Sequence, residues 1–470
     1  MALPVMGAPG NYLISNGTVV TSEGVQDADV AVRDGIIVAI AKGLAAGGDQ
    51  VIDASGHLVL PGGVDPHVHL EAGTQGQRTA DDFITGTRAA ALGGTTTVID
   101  FCYQIPGRPF LEGLTARRAA AEGRAVVDFA FHFVVTRLDA GNIDEIDEVF
   151  AAGVTSFKLY MAYAQRGLMA DDGTLYRLFA RATALGALPV IHAENGLVND
   201  VLVEEALASG GVGPAQHPKT HPAASEAEGT HRAIAIAEMT GTPLYFVHVS
   251  CADALGEVLA GRRRGQTIFA ETCPHYLLLD DSLYRLPGFE SAKYVMNPPL
   301  RDAANLPVLW DALSRQEIDT VATDHCPFHF RGQKDRGHDD FSLIPNGAPG
   351  IEHRIALLFE EGVLAGRLSM ERWVDVFASA PARIFGLSGK GRVAVGADAD
   401  LVIFDPHRET VIQQSGHHMN VDYSLYEGRH VRGWPRTVLS RGEVIVRDGE
   451  YIGADGRGRY QHRTRHGHPS

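Results

Sequence analysis

The chain has 470 residues, is 45% hydrophobic, and sets 41 Lys and Arg against 57 Asp and Glu for a formal charge of -16. That length and apolar content allow a large core and more than one structural unit. The acidity excludes nucleic acid as a partner, because neutralising phosphates requires clustered basic side chains.

Taken in chain order, the opening MALPVMGAPGNYLISNG lacks a basic stretch followed by an apolar one, and no run is long enough to cross a bilayer. A soluble, cytoplasmic protein with no membrane role is expected. Residues 11–56 (YLISNGTVV, ADVAVRDGIIVAIAKG, QVIDASG) alternate as strands do, with an RDG turn and no helix between them. Eight short apolar runs follow, at 58–69, 95–101, 125–135, 156–161, 188–194, 243–250, 267–274 and 319–325. Several of the segments between them, among them LYRLFARATALG and ASEAEGTHRAIAIAEMTG, have helical periodicity and end at Gly. Strand and helix alternating eight times predicts an α/β fold, a (β/α)₈ barrel over 57–390. Residues 391–455 return to strand patterns with a second RDG turn. With 1–56 they predict a smaller β-sandwich domain built from both termini. The polar tail from 456 to 470 reads as a disordered end or an arm laid on a neighbouring subunit. Cys102, Cys251, Cys273 and Cys326 lack CxxC spacing, so reduced thiols are expected.

The polar residues that interrupt the apolar runs carry the chemistry. His67 and His69 stand two apart at the end of the first run, so on a strand both project to one face and can grip one metal. Lys158 interrupts SFKLYM; alone it reads as a lysine that snorkels to water, but beside divalent cations its amine would lose its proton and could react with CO₂ to form a carbamate. His192 in VIHAENG, His248 in FVHVSC and Asp324 in VATDHCPF also close apolar runs. Singly each has a bland reading as a core or capping group. Together they lie at strand ends that a barrel gathers on one face, as a two-metal hydrolase needs.

The segments GGVDPHVHLE, SFKLYMAY, IHAENG, FVHVSC, ETCPHYLLLD, NPPLR, ATDHCPF, IPNGAPGIEHR, GRVAVGADADLVIFDP and NVDYSLYEG resemble the hydantoinase and dihydropyrimidinase family of cyclic amidohydrolases, over nearly the whole chain. The resemblance implies a binuclear zinc site. His67, His69 and Asp324 would hold one ion and His192 and His248 the other, with carboxylated Lys158 and a hydroxide bridging them. That hydroxide would open a cyclic ureide or imide, Asp324 carrying its proton to the departing nitrogen, to give an N-carbamoyl amino acid. Tyr163 matches the tyrosine that hydrogen-bonds the oxyanion, and Asn297 and Asn346 match positions whose backbone holds the substrate's amide edge. A homotetramer, possibly through the C-terminal arm, is also implied.

Two departures from the family pattern stand out. Asn297 occupies a position where the family usually has Ser, and the loop Glu71–Ala72–Gly73–Thr74–Gln75–Gly76 is small where relatives are often bulky and apolar. A wider or more polar pocket for the substrate's exocyclic group is expected. Allantoinase is the alternative activity, though its loop usually lacks the PNG arrangement; dihydroorotase fits less well, given the full β-rich flanks. From a different class, a non-catalytic homotetrameric scaffold would have lost metal ligands, and none of the six is missing.

Overall fold

The computed structural model describes residues 10–74 and 77–466. Its centre is an eight-stranded parallel sheet with strands adjacent in chain order: β1 (Gly63–Asp65), β2 (Thr95–Tyr103), β3 (Asp128–Val134), β4 (Ser156–Tyr160), β5 (Leu188–His192), β6 (Leu244–Phe246), β7 (Ile268–Thr272) and β8 (Thr320–Val321). Just past β1 and β8 the sheet closes on itself. Val68 bridges His325, the His69 amide donates to the His325 carbonyl at 2.8 Å, and Asp65 accepts from the Thr323 hydroxyl at 2.6 Å. The expected (β/α)₈ barrel is present.

Helices α1 (Thr85–Leu92), α2 (Phe110–Ala121), α3 (Glu145–Ala151), α4 (Asp172–Leu185), α5 (Gly196–Ala208), α6 (Ala223–Thr240), α7 (Ala252–Arg263) and α8 (Asn305–Ser314) occupy the connections. In α4 local chemistry sets both ends. The Asp171 carboxylate accepts from the Thr174 amide at 2.7 Å, and Gly186 stops the helix at φ 70, a conformation that favours glycine. The strands read as nearly continuous apolar runs because both faces are buried. Outward residues such as Phe131, Phe133, Phe157 and Leu159 join the main core, while Val64, Ile99, Ala130 and Val190 fill the barrel with Ala382 and Ile384 from the helix Ala380–Ile384 and Phe385 just after it.

The termini form two further sheets. Tyr12–Ser15, Asp29–Arg33, Ile36–Ala41 and Gln50–Asp53 make one of four strands; seven strands, including Leu58–Pro61, Leu401–Val411 and His430–Ser440, make the other. Val59, Leu401, Ile403 and Leu439 face Ile14, Val30 and Val32 across the sandwich. The alternate residues Leu58, Leu60, Val402, Phe404 and Val438 turn to the barrel side. The seven-stranded sheet is thus the seam between the two units.

Two sequence expectations change here. The run 58–69 is not one barrel strand. Leu58–Pro61 pairs antiparallel with Leu401–Phe404, and the Gly62 amide donates to Asp400 before the Gly63 amide turns to Gly94, so the units meet at Gly62 rather than after residue 56. The tail through His466 is not disordered. Phe129 bridges Tyr460, the Gly458 and Gln461 amides donate to Ala125 and Phe129, and buried Arg463 donates to the Phe131 carbonyl, all on the chain's own barrel. The last four residues of the tail, like 1–9, lie outside the described residues.

Candidate active site

The carboxyl ends of the strands converge on one cavity lined by His67, His69, His192, His248, Asp324, Tyr163, Asn297 and Asn346. Inside the barrel below it, Lys158 projects from the middle of β4. His67 Nε2 and His69 Nε2 stand 3.1 and 3.2 Å from Asp324 Oδ1 and 3.2 Å from each other, close enough for one ion. Facing them, His192 Nδ1 lies 2.9 Å from His248 Nε2. The His67 and His248 rings are 5.5 Å apart, so the two clusters share one chamber.

Lys158 does not snorkel. It is fully buried between the rings of Phe101 and Tyr160, and its Nζ has no hydrogen-bond partner among the described residues. Burial pulls its pKa down to about 7 against the pull of Asp324 and Glu271. An isolated buried ammonium is costly, whereas a neutral amine here is a nucleophile toward CO₂. Burial would raise the Asp324 carboxyl, but His67, His69 and His248 hold it well below its ordinary value, so it stays ionised. Burial and His192 push His248 down, keeping it a neutral donor, and its Nδ1 is buried without a partner. Two pairs of clustered histidines, an ionised carboxylate and an orphaned amine fit the donor set of a divalent-ion site.

The backbone is bent to make this arrangement. Four of the nine described non-glycine residues with positive φ are Glu71 (50°), Tyr163 (69°), His248 (40°) and Asp324 (47°), all at this end of the barrel. Such conformations cost of order 1–3 kcal/mol each and persist where the surroundings over-determine them.

A second layer of carboxylates escaped the sequence analysis. Glu271 on β7, fully buried, accepts from His67 Nδ1 at 2.8 Å, from the Tyr245 hydroxyl at 2.7 Å and from the His248 amide at 3.2 Å. Glu194 accepts from His192 Nε2 at 2.6 Å; burial would raise its pKa, but that bond and the charges of His192, His221 and Arg301 together bring it to about 2. Each acid fixes which ring nitrogen is left to face the chamber. Both interrupt apolar runs as Lys158 does, in IFAET and in IHAEN, and that was the available signal.

Tyr163 follows β4 with its ring 5.1 Å from His192; burial and Glu194 push its hydroxyl up, so it stays a donor. The Asn297 side chain, which the sequence left open, turns inward, with Nδ2 donating to Glu194 at 3.2 Å and Oδ1 buried. Asn346 is reached through Gly347, where φ is 145° and a Cβ would overlap the Cys326 carbonyl, so only glycine fits. Ala72 and Gly73 line the cavity as expected of a small loop, while Gln75 and Gly76 lie outside the described residues.

Residues 58–445 match the amidohydrolase family. The chain is 47% identical over 457 residues to a D-hydantoinase of Geobacillus stearothermophilus, covering 97% of each. The chain belongs to the hydantoinase and dihydropyrimidinase family. A second relative of this family, a D-hydantoinase of Streptomyces coelicolor, is also 47% identical, over 96% of this chain and 98% of its own. The crystal structure of a dihydropyrimidinase from Brevibacillus agri superposes with a TM-score of 0.96 at 45% identity, over 97% of this chain and 99% of that one. In this hydantoinase-family barrel the strand ends carry the histidines, and the sandwich stands beside it as a second unit.

Proposed function

We propose that the protein is a metal-dependent hydrolase that opens cyclic ureides and imides, the dihydropyrimidines and hydantoins, to N-carbamoyl amino acids. The observation that carries this reading is the orphaned, fully buried Lys158 amine inside a barrel whose strand ends gather two histidine clusters. His67, His69 and Asp324 would hold one divalent ion, His192 and His248 the other, and Lys158 as N6-carboxylysine would join them, with CO₂ as the source of the carboxyl group. Zinc suits this mixture of imidazole and carboxylate. When bound, the two ions would supply a water of lowered pKa and polarise the ring carbonyl.

The remaining work falls to the chain. Ionised Asp324 accepts a proton at Oδ and returns it to the ring nitrogen as the amide bond breaks. Tyr163 donates its O–H to the carbonyl oxygen as negative charge builds there. The backbone at Asn297 and Asn346 holds the amide edge of the ring. Glu271 and Glu194 keep His67 and His192 in single orientations.

We further propose a cytoplasmic homotetramer. Among the described residues no helix is long and apolar enough to cross a membrane. With the C-terminal segment occupied on its own barrel, the exposed apolar side chains Leu197, Val198 and Val201 of α5 offer the contact surface. Neither relative named above is an allantoinase, and the complete ligand set leaves no support for a non-catalytic scaffold.

The test is ring opening of dihydrouracil, hydantoin, 5-phenylhydantoin and allantoin, with Lys158→Ala as control. Turnover of dihydrouracil or hydantoins that Lys158→Ala abolishes is expected. Turnover of allantoin alone would replace the proposed substrate class.

A further inference from the structure

Asn297 is pinned on both sides before its side chain reaches the site. The Met296 carbonyl accepts from His217 Nε2 at 2.8 Å, and the Pro298 carbonyl accepts from the Tyr276 hydroxyl at 2.6 Å. His217, Tyr276 and Asn297 are all buried. With the backbone fixed at both neighbours, the carboxamide is carried to the wall of the cavity, beside the acid that stands behind His192.

There it meets Glu194. Asn297 Nδ2 donates to Glu194 Oε2 at 3.2 Å, the same oxygen that accepts from His192 Nε2 at 2.6 Å, while Asn199 Nδ2 donates to Oε1 at 3.3 Å. A carboxylate can only accept, which fixes the orientation of the amide: nitrogen toward Glu194, and Oδ1 turned away without a partner among the described residues. One N–H of the same nitrogen remains. Tyr163 stands beside this group, its ring 5.1 Å from His192, and the Asn297 side chain hydrogen-bonds its hydroxyl. Burial, then Glu194, push that hydroxyl's pKa up, and Arg166 and the Asn297 bond pull it down. A hydrogen bond lowers a phenol's pKa when the phenol oxygen accepts it, so the amide is the donor.

The consequence is where the phenol proton goes. With Nδ2 giving one N–H to Glu194 and the other to the Tyr163 oxygen, the O–H is left to turn to the carbonyl oxygen of a bound ring. Without the amide, the carboxylate whose charge weighs most on Tyr163 competes for that proton, and charged acceptors hold donors more strongly than a neutral carbonyl. A serine at 297, with one proton to give, could not serve both acceptors.

We propose that Asn297 is a positioning residue whose two amide N–H groups hold Glu194 and the Tyr163 oxygen, so that the phenol proton faces the substrate's carbonyl. This rests on the ring-opening reading above and on the donor role of Tyr163 within it. The experiment is a double-mutant cycle on hydantoin with metal-loaded protein, measuring kcat and KM for wild type, Asn297→Ala, Asn297→Ser, Tyr163→Phe and the two double variants. Tyr163→Phe removes the hydroxyl and keeps the ring, and a rate lower by about 10²-fold is still measurable.

In the wild-type background, Asn297→Ala is expected to lower kcat about tenfold, the scale of one hydrogen bond, with KM nearly unchanged. Asn297→Ser falls between, and carries the comparison should Asn297→Ala fail to fold. In the Tyr163→Phe background both substitutions cost less than about twofold, because no phenol proton is left to orient. A loss of equal size in both backgrounds, an effect on KM alone, or wild-type rates in the Asn297 variants overturns the proposal, while wild-type turnover of hydantoin still upholds ring opening. Tyr163→Phe at the wild-type rate would end the donor role of Tyr163 and this inference with it. If wild type opens no ring, the ring-opening reading itself fails.

Discussion

At the scale of single residues, the site rests on burial without partners. Lys158 sits inside the barrel with nothing to accept its hydrogen bonds, a state worth several kcal/mol against folding unless the amine is neutral or modified. The five other proposed ligands were legible in the sequence for the reason Lys158 was: each ends or interrupts an apolar run where a polar group is expensive. Glu271 and Glu194 gave the same signal and were passed over, because their role depends on a contact that residue types do not announce. Glu271 meets His67 across 204 positions of chain. If Glu271 fixes His67, then Glu271→Gln, which keeps the shape and loses the charge, weakens metal binding by roughly 10- to 100-fold. Titration against a competing chelator measures this, and wild-type affinity in the variant would show that Glu271 only fills space.

Among the elements, the two segments proposed to hold the substrate are tied together by a buried lysine with no carboxylate partner among the described residues. Lys334 Nζ donates to the Val295 carbonyl at 2.8 Å and the Pro345 carbonyl at 3.0 Å, one segment leading to Asn297 and the other to Asn346. Burial pulls its pKa to about 7 from the ordinary lysine value of 10.5. Between those values the unfolded chain holds a proton that the folded chain has lost, so this group makes stability rise with pH from about 7 toward 10.5 and leaves it level below 7. Denaturant midpoints of wild type minus those of Lys334→Met are therefore expected to climb from pH 7 to pH 10. A flat or falling difference would mean that Lys334 stays charged when folded.

The barrel strands and most helices were legible from period and length alone. The division of the run 58–69 was not, because both halves are buried on both faces and so look alike in sequence; only the partners of Gly62 and Gly63 separate them. The 412–429 segment likewise read as part of a strand-rich flank and instead runs as an irregular strap. Its Asn420 amide donates to Asp81 at 2.9 Å, and Asp81 pairs with His325 at 3.0 Å, next to Asp324.

For the whole molecule, the sandwich and the C-terminal segment are structural parts of the catalytic barrel. Lys390 pairs with Asp128 at 2.6 Å, Asp398 at 2.8 Å and Asp400 at 2.9 Å, joining the first residue of β3 to the entrance of the sandwich strand Leu401–Val411. Arg441 and Gln461 reach the same Asp128. A polar tail gave no sequence sign of this, since its backbone pairing and the burial of Arg463 depend on a groove that exists only once the barrel has formed. Truncation after Asp455 is accordingly expected to lower the melting temperature by on the order of 5 °C or more, read by calorimetry; an unchanged transition would show that the segment is dispensable.

The central claim, that two ions held by six side chains open a cyclic amide, is tested most directly by titrating metal-stripped protein with zinc in bicarbonate buffer while following hydantoin hydrolysis. The account predicts no turnover without metal, binding that saturates at two ions per subunit, and activity that returns with them. Full turnover in the metal-free protein, or two bound ions and no hydrolysis of any cyclic ureide, would contradict it.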